Sequence, residues 1–288
     1  MAGKAVALVI DIGIWRLQTS KPARNGWLLE LCDKVEEENG RIGGHQYGDR
    51  VVKLSDEIAV KYGHGVKESE ARTQDFAYRN ANPSIVRIPR VHRFFLKIDP
   101  SWHCPRGYLF MGYVPGKILQ DLDLNIKGDI VPRVAKIIKH LGQISDSQPV
   151  PGPIGGGEPE GYFFGDDGAG RSFASVADFE AWLNIRLALR NKSIDLSSQP
   201  LVLCHMDLCR RNMILEENDS ICLLDWGCAG MYPRYFEIAT LSWLNPYDAP
   251  YEKPLLQATT ALLGLTAKEK DSIALLEIAR AANLRYTL

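Results

Sequence analysis

Composition alone declares no purpose for this chain, and what it lacks removes several. No apolar run reaches the about 18 residues of a membrane-spanning helix, so no membrane partner is expected. Neither sign of charge prevails: 34 Lys and Arg stand against 35 Asp and Glu, a formal net charge of -1. There is therefore no whole-chain attraction to nucleic acid or to an anionic lipid surface. None of the six cysteines forms a C-x-x-C pair, which argues against a zinc site, and the chain is not the small secreted kind that disulfides staple together. Cysteines inside apolar runs, such as Cys204 and Cys222, read as small buried hydrophobes. A reduced, cytoplasmic setting is expected. The stretch AVALVIDIGIW after Lys4 mimics a signal peptide, but Asp11 interrupts it and no clear small-residue cleavage site follows. There is no internal repeat.

What is present is an ordinary globular balance, 45% hydrophobic and 24% charged over 288 residues. That is enough for one large domain or for two lobes sharing a cleft. Lys21, Pro22, Asn25 and Gly26 read as a loop after an ambiguous apolar segment, Val6 to Trp15. Trp27, Leu28, Leu31, Cys32 and Val35 then recur at helical spacing, with Glu36, Glu37 and Glu38 as a solvated acidic end. GGHQYGD is turn-rich. VVKL and IAVKY read as two strands around a short turn, and Glu68 to Ala81 as a helix. Arg90 to Ile98 and Gly107 to Val114 read as strands, the second stopped by Pro115-Gly116. Beyond that point helices dominate. Val131 to Ile144 is one, and Phe173 to Leu189 is another, with Ser175 or Ser172 as its N-cap. Between them Gln148 to Gly170 is rich in Pro and Gly and without period, a loop long enough to suggest function. Pro233 to Leu244 and Pro254 to Leu288 read as closing helices. Strands first and helices after predict an α+β arrangement and not an alternating βαβ one.

The stretch Leu201 to Gly227, LVLCHMDLCRRNMILEENDSICLLDWG, carries the chemistry. Three apolar strands alternate with two turns. Asp207, Asn212 and Asp225 sit where strands give way to turns. Carboxylate, amide and carboxylate form a hard-oxygen set suited to Mg²⁺ alongside substrate phosphates. Asp207 is placed to accept or orient the proton of an attacking hydroxyl. Each residue alone is an ordinary turn residue; His-x-Asp-x-x-x-x-Asn followed by Asp-aromatic-Gly requires several types at set positions together. Upstream, Lys61 lies inside the apolar strand IAVKYG, where an unpaired charge is costly. In a nucleotide site it pairs with phosphates and with a helical Glu, for which Glu70 is the preferred partner and Glu68 the reserve.

These residues resemble the aminoglycoside phosphotransferase and choline kinase family, small-molecule relatives of protein kinases, over roughly residues 40–260. HMDLCRRNMIL and CLLDWG resemble its catalytic loop and metal-binding strand. IAVKYG with the following SEA resembles its lysine strand and helix glutamate, and GYLFMGYVPGKIL its hinge. PGPIGGG and RSFASVADFEAWL resemble an insertion of fungal-type members. The resemblance implies a bilobal protein-kinase-like fold, with a small antiparallel-sheet N-lobe and a larger, mainly helical C-lobe. Residues 1–40 would be an extension and helix, 41–115 the nucleotide-binding lobe, and 116–288 the lobe with the catalytic loop and acceptor pocket. It implies Asp207 as catalytic base, Asn212 and Asp225 as Mg²⁺ ligands, and Lys61 with Glu70 positioning the phosphates of ATP. Backbone groups of Met111, Gly112, Tyr113 and Val114 would hold the adenine. The phosphate-covering loop departs from Gly-x-Gly-x-x-Gly; Gly43, Gly44 and Gly48 are its candidates. Cys209 stands where many relatives carry a polar or basic residue. Arg211 supplies positive charge to catalysis or holds the loop by pairing with a carboxylate. His205 is expected to brace the loop and to do no proton chemistry.

Little chain separates Asp225 from Glu237, so there is no platform for a peptide acceptor. The expected reaction moves the γ-phosphoryl group of ATP to a hydroxyl of a small molecule: an amino-alcohol, an aminoglycoside-like compound or a related metabolite. No protein partner is implied. A polycation would want carboxylates, for which Glu158, Glu160, Asp166, Asp167, Asp248 and Glu252 are candidates. A quaternary amine would want an aromatic cage, for which Trp182, Trp243, Tyr247 and Tyr251 are candidates. A non-catalytic nucleotide-binding regulator, or an enzyme that reuses the cleft for other chemistry, are the readings that stand beside this one.

Overall fold

The computed structural model describes residues 22–38, 40–44, 48–99, 104–244 and 247–286, so the apolar segment Val6 to Trp15 lies outside the described residues. By internal packing the chain divides into two units. One holds the described residues up to Glu68 with Pro89–Val114; the other holds Ser69–Ile88 with Pro115 onward.

The first unit is an antiparallel sheet covered by one helix. Its strands are β1 (Arg41–Gly44), β2 (Arg50–Lys53), β3 (Ile58–Gly63), β4 (Val91–Asp99) and β5 (Cys104–Gly112), in the order β1-β2-β3-β5-β4. Side chains alternate between the faces of a strand, and here the alternation has a purpose. Val52, Ile58, Val60, Tyr62, Tyr108 and Phe110 form one face and bury Leu28, Leu29 and Cys32 of helix α1 (Pro22–Glu37). Ala59 and Lys61 fall on the other face, opposite Met111 and Leu109 across the β3–β5 ladder. Lys61 is the one half-buried residue in a strand otherwise buried throughout.

Two expectations change in this unit. Helix α1 begins at Pro22 and not after Gly26, consistent with proline's tolerance of the first helical turn. The acidic end of α1 is not wholly solvated. Glu36 accepts both of its oxygens' bonds from Arg50 Nη1, at 2.9 Å each, and a further bond from the Tyr62 hydroxyl. That clasp ties α1 to β2 and β3.

The second unit begins with helix α2 (Glu68–Asn80), all but its first residue. Strand β6 (Lys117–Ile118) and helices α3 (Ile130–Leu141) and α4 (Val176–Ala188) follow. The Ser175 hydroxyl caps α4 by accepting from the Asp178 N–H at 3.1 Å. The stretch Leu201 to Gly227 then forms β7 (Leu201–Cys204), β8 (Met213–Leu215) and β9 (Ile221–Leu223). Strand β10 (Gly230–Pro233) returns antiparallel beside β7. Helix α5 (Tyr235–Thr240) is shorter than its apolar run suggests, because β10 takes the residues before it. The closing run is two helices, α6 (Ala249–Leu263) and α7 (Ala267–Asn283). Gly264, at φ 57°, ends the first, as an αL glycine does. A reciprocal capping box of Thr266 and Glu269 starts the second.

The loop expected from Gln148 to Gly170 has no helix or strand, yet it is firmly held. Gly152 exchanges two backbone hydrogen bonds with Met231 of β10, and the Ile154 N–H donates to Thr73 Oγ1 of α2 at 3.0 Å. Phe163 and Phe164 sink into an aromatic cluster with Phe173, Phe179, Trp182, Tyr232 and Phe236. Gly230 makes the Gly152–Met231 clasp possible, since a Cβ there would press directly on the Gly152 carbonyl. Gly230→Ala should therefore lower stability by about 1–3 kcal/mol, the usual cost of overpacking. Limited proteolysis should show new cleavage within residues 152–170, and an unchanged cleavage pattern would show that the clasp does not hold the loop.

Candidate active site

The turn between β7 and β8 is built around a buried carboxylate. Asp207 is 5% exposed. Its Oδ2 accepts from Asn212 Nδ2 at 2.9 Å and from Arg211 Nη2 at 3.1 Å. Its Oδ1 is buried and has no hydrogen-bond partner of good geometry among the described residues, although the Cys209 thiol is close enough to act on the carboxylate. Burial pushes the Asp207 carboxyl above the usual carboxylate range. Arg211 opposes that rise and the neighbouring Asp225 adds to it.

The ladder explains why residues so far apart in sequence meet. Met213 pairs with Leu223 across β8 and β9. Pairing extends one residue further, with the Leu224 N–H donating to the Asn212 carbonyl at 2.8 Å. Asn212 therefore lies across the ladder from the residue preceding Asp225. Asn212 spends its amide nitrogen on Asp207, on the carbonyl at 3.1 Å and on Oδ2. Its amide oxygen accepts nothing among the described residues. Asp225 has φ 59° and Met206, before Asp207, has φ 67°. Left-handed backbone at non-glycine residues is strained, and here it turns both chain segments sharply where the polar groups converge. Glu70 of α2 comes to the same place. A Cβ on Gly227 would lie 3.5 Å from Asp225 Oδ1 and 3.7 Å from Glu70 Oε2.

His205 braces the turn. Its Nδ1 accepts from the Asp207 N–H at 3.3 Å and its Nε2 donates to the Leu224 carbonyl at 2.9 Å. Those partners select the Nε2–H tautomer. The ring stands edge-on to Trp226, with centroids 4.8 Å apart. Beneath it lies a group that motif spacing did not reveal as part of the site. Glu237 of α5, 3% exposed, accepts from the His205 N–H and, at 3.0 Å, from the Met206 N–H. The available signal was an acid inside the apolar run YFEIAT. Arg210 fixes the far side: Nε donates to Asp248 at 2.5 Å and Nη1 to the Leu119 and Leu122 carbonyls at 3.1 Å.

In the first unit, Lys61 and Met111 share the sheet face away from α1. At the end of β5, the Gly112 N–H already donates to the Arg90 carbonyl at 2.9 Å and the Tyr113 N–H to the Glu57 carbonyl at 2.8 Å. Those two donors are committed to the fold. Val114 closes the unit. Gly43 and Gly44 end the edge strand β1, and the turn residues 45–47 lie outside the described residues. Gly44 at φ 86° packs against the Asp49–Arg50 backbone, where a side chain would not fit. Lys61 and Glu70 belong to different units.

Several candidate acceptor groups turn out to be structural. Asp248 is paired with Arg210, and the buried Glu252 accepts from the Asp248 N–H at 2.8 Å. Glu158 accepts from the Gly170 N–H at 2.6 Å. Trp182 is buried and donates to the Ala169 carbonyl, and Tyr251 is buried and donates to the Leu208 carbonyl. Of the others, Asp166, Trp243 and Tyr247 line one cleft of about 560 Å³ in the second unit, with Tyr162 and Arg280 also on its walls, whereas Glu160 and Asp167 do not line it. This cleft reaches the Asp207 turn through Tyr162, whose hydroxyl accepts from Arg211 Nη2 at 2.9 Å. One nitrogen thus bridges Asp207 and Tyr162. Neither Tyr162 nor Arg280 has a motif to mark it.

Glu237 gives the turn a pH signature. Burial raises its carboxyl from 4.5 to about 7, so the folded chain holds a proton that the unfolded chain releases. Its contribution to stability is greatest below about pH 4.5 and declines as pH rises through 7. Glu237→Gln should flatten that segment of the stability curve. It should also cost about 1–3 kcal/mol, because the amide cannot serve both N–H groups as the carboxyl does. Chemical denaturation from pH 4.5 to 8 measures both, and an unaltered slope in the variant would remove Glu237 from this role.

The family model of the phosphotransferase enzyme family, APH, matches residues 41–270. No curated protein sequence matches the chain. Among solved structures, aminoglycoside phosphotransferase APH(4)-Ia aligns with a TM-score of 0.54 at 14% identity, covering 88% of each chain. A thermostable mutant of the same enzyme, in ternary complex with ADP and hygromycin B, aligns at 0.51 with 13% identity over 86% of this chain and 97% of that one. Spectinomycin phosphotransferase APH(9)-Ia, in complex with ADP and its antibiotic, aligns at 0.50 with 13% identity over 88% and 85%. These likenesses show the protein-kinase-like α+β fold. With the family model spanning most of its length, the chain belongs to the phosphotransferase enzyme family and is a small-molecule phosphotransferase.

Proposed function

We propose that the protein transfers the γ-phosphoryl group of ATP to a hydroxyl of a small molecule, with Asp207 as the base. The observation that carries this is the asymmetry of the Asp207 carboxylate. Oδ2 is held by Asn212 and Arg211, which stabilises the charged form, and the buried Oδ1 is left without a partner of good geometry. Such a group is oriented and its charged form is supported, as a general base requires. Asp207 takes the proton from the acceptor hydroxyl as that oxygen bonds to phosphorus. The bond from the γ-phosphorus to the β,γ-bridging oxygen breaks, and ADP leaves.

Asn212 and Asp225 suit Mg²⁺. Both are hard-oxygen donors, and the uncommitted amide oxygen of Asn212 fits the need for a ligand beside the Asp225 carboxylate. An ion on these two ligands would be shared with nucleotide phosphates, as Mg²⁺ usually is. When bound, the ion supplies charge neutralisation at the transferring phosphoryl group. Lys61 and Glu70 are assigned to positioning the phosphates. The hinge from Met111 to Val114 is assigned to the adenine, through backbone groups other than the two N–H donors already used. Gly43 and Gly44 are assigned to the loop over the phosphates. Arg211 does not touch the reacting atoms in this scheme. It tunes Asp207 and fixes its direction, so it is a positioning residue.

Asp207→Asn should lower turnover by about 10²–10⁴-fold, the usual contribution of a positioned base. It should leave the Mg²⁺-ATP-dependent rise in melting temperature nearly intact, and undiminished ADP release by this variant would remove the central claim. The acid limb of the rate profile should lie above the ordinary aspartate value of about 3.9, because burial raises Asp207. Arg211→Met removes an opposing positive charge and should move that limb to still higher pH, whereas a merely structural Arg211 would lower the rate without moving it.

A further inference from the structure

The cleft beside the catalytic turn has a charge pattern that bears on the acceptor. Tyr162 is gripped at both ends: Arg211 holds its hydroxyl, and Arg280 Nε donates to its carbonyl at 2.9 Å. The Arg280 guanidinium lies over the Trp243 ring, 5.0 Å from its centroid. Trp243 in turn stacks on the buried Phe163 at 6.0 Å. Arg280 is therefore fixed in place, half-buried, on the wall of an open cleft. It forms no ion pair among the described residues, and its Nη groups have no hydrogen-bond partner there. Asp166 lines the same cleft, but it is exposed and does not pair with Arg280. Burial pulls the guanidinium below its usual range with no carboxylate to restore it. A guanidinium fixed on the wall of an open cleft, with its Nη groups unpaired, is placed to receive an anionic group of a ligand. Its two free nitrogens present the fork that carboxylates fit.

Of the six carboxylates that could attract a polycation, three, Glu158, Asp248 and Glu252, are committed to the fold, and only Asp166 lines this cleft. Resting on the phosphotransfer reading above, we infer that the acceptor is a hydroxyl compound bearing a carboxylate, which Arg280 binds beside Trp243 while the hydroxyl reaches Asp207. Arg280 is then the residue that determines acceptor class. The acceptor differs from a polycationic aminoglycoside in the sign of the group that is recognised.

The test uses the full-length protein with Mg²⁺-ATP and acceptor pairs that differ by one carboxylate: serine with ethanolamine, glycerate with ethylene glycol, and tyrosine with tyramine. ADP release and thermal shift are both read. The carboxylated member of at least one pair should be preferred by roughly tenfold or more in kcat/KM, the scale of one charge-assisted contact. Arg280→Gln should erase that preference through KM, and Arg280→Lys should restore part of it. The Mg²⁺-ATP melting shift should persist in both variants, which certifies that they are folded. Preference for the uncharged or cationic members overturns the inference, and so does an unchanged KM in Arg280→Gln. Binding of Mg²⁺-ATP with neither turnover nor stabilisation by any carboxylated compound also overturns it, and leaves the phosphotransfer reading standing. Absence of any Mg²⁺-ATP melting shift in the unaltered protein would bring down that reading and the inference with it.

Discussion

Keeping a charged carboxylate inside the protein is the constraint around which the second unit is arranged. Removing an ion from water costs several kcal/mol even after relaxation. Asp207 meets that cost from one side only, with Arg211 and Asn212 on Oδ2. The groups that hold the turn must therefore be rigid, since a shift of the backbone would lose both contacts together. That rigidity comes from below. His205 spans Asp207 and Leu224, so the turn and the strand end that carries Asp225 share one brace. Glu237 takes the two N–H groups that the sharp bend at Met206 would leave unpaired. Buried polar groups of this kind are stable only when satisfied, and Asp207 Oδ1, without a partner of good geometry among the described residues, is the exception.

The same turn is held from its flank by a segment with no regular structure of its own. Residues 152–170 contain too much Gly and Pro to form a helix or strand. They are anchored instead at separate points: the Gly152 clasp on β10, Thr73 on α2, the pair Phe163 and Phe164 in the aromatic cluster, and Tyr162 between two arginines. A loop pinned at so many points can shape a cleft as a rigid element does. It also brings the cleft wall into the hydrogen-bond network of Asp207, since one Arg211 nitrogen bonds both Tyr162 and Asp207.

Much of this was legible in the residues, where the information is local. Strands β2, β3, β4 and β5 announce themselves by apolar runs between turn residues, and α3 by its spacing of Val134, Ile137, Ile138 and Leu141. The break between α6 and α7 was written as Gly264, Thr266 and Glu269, although the apolar spacing on both sides reads as one helix. Strand β10 was not legible, because a short strand is defined by its partner, and β7 lies far away in sequence. The same holds for Glu36, which looks like a solvent-facing acid until Arg50 and Tyr62 close on it.

The sequence by itself determined which polar groups can meet: His205, Asp207, Asn212 and Asp225 stand at intervals set by a strand-turn-strand stretch, and short-range geometry suffices to bring them together. Only the tertiary structure decided which surrounding charges remain free to act on a ligand. Asp248 and Glu252 were equal to Asp166 as letters, and Trp182 and Tyr251 were equal to Trp243. Pairing and burial separated them, because whether a side chain is spent on the fold depends on neighbours that arrive from distant segments. Arg280 and Tyr162 gained their place in the same way, beside the Asp207 turn that lies more than forty residues from either of them in the chain.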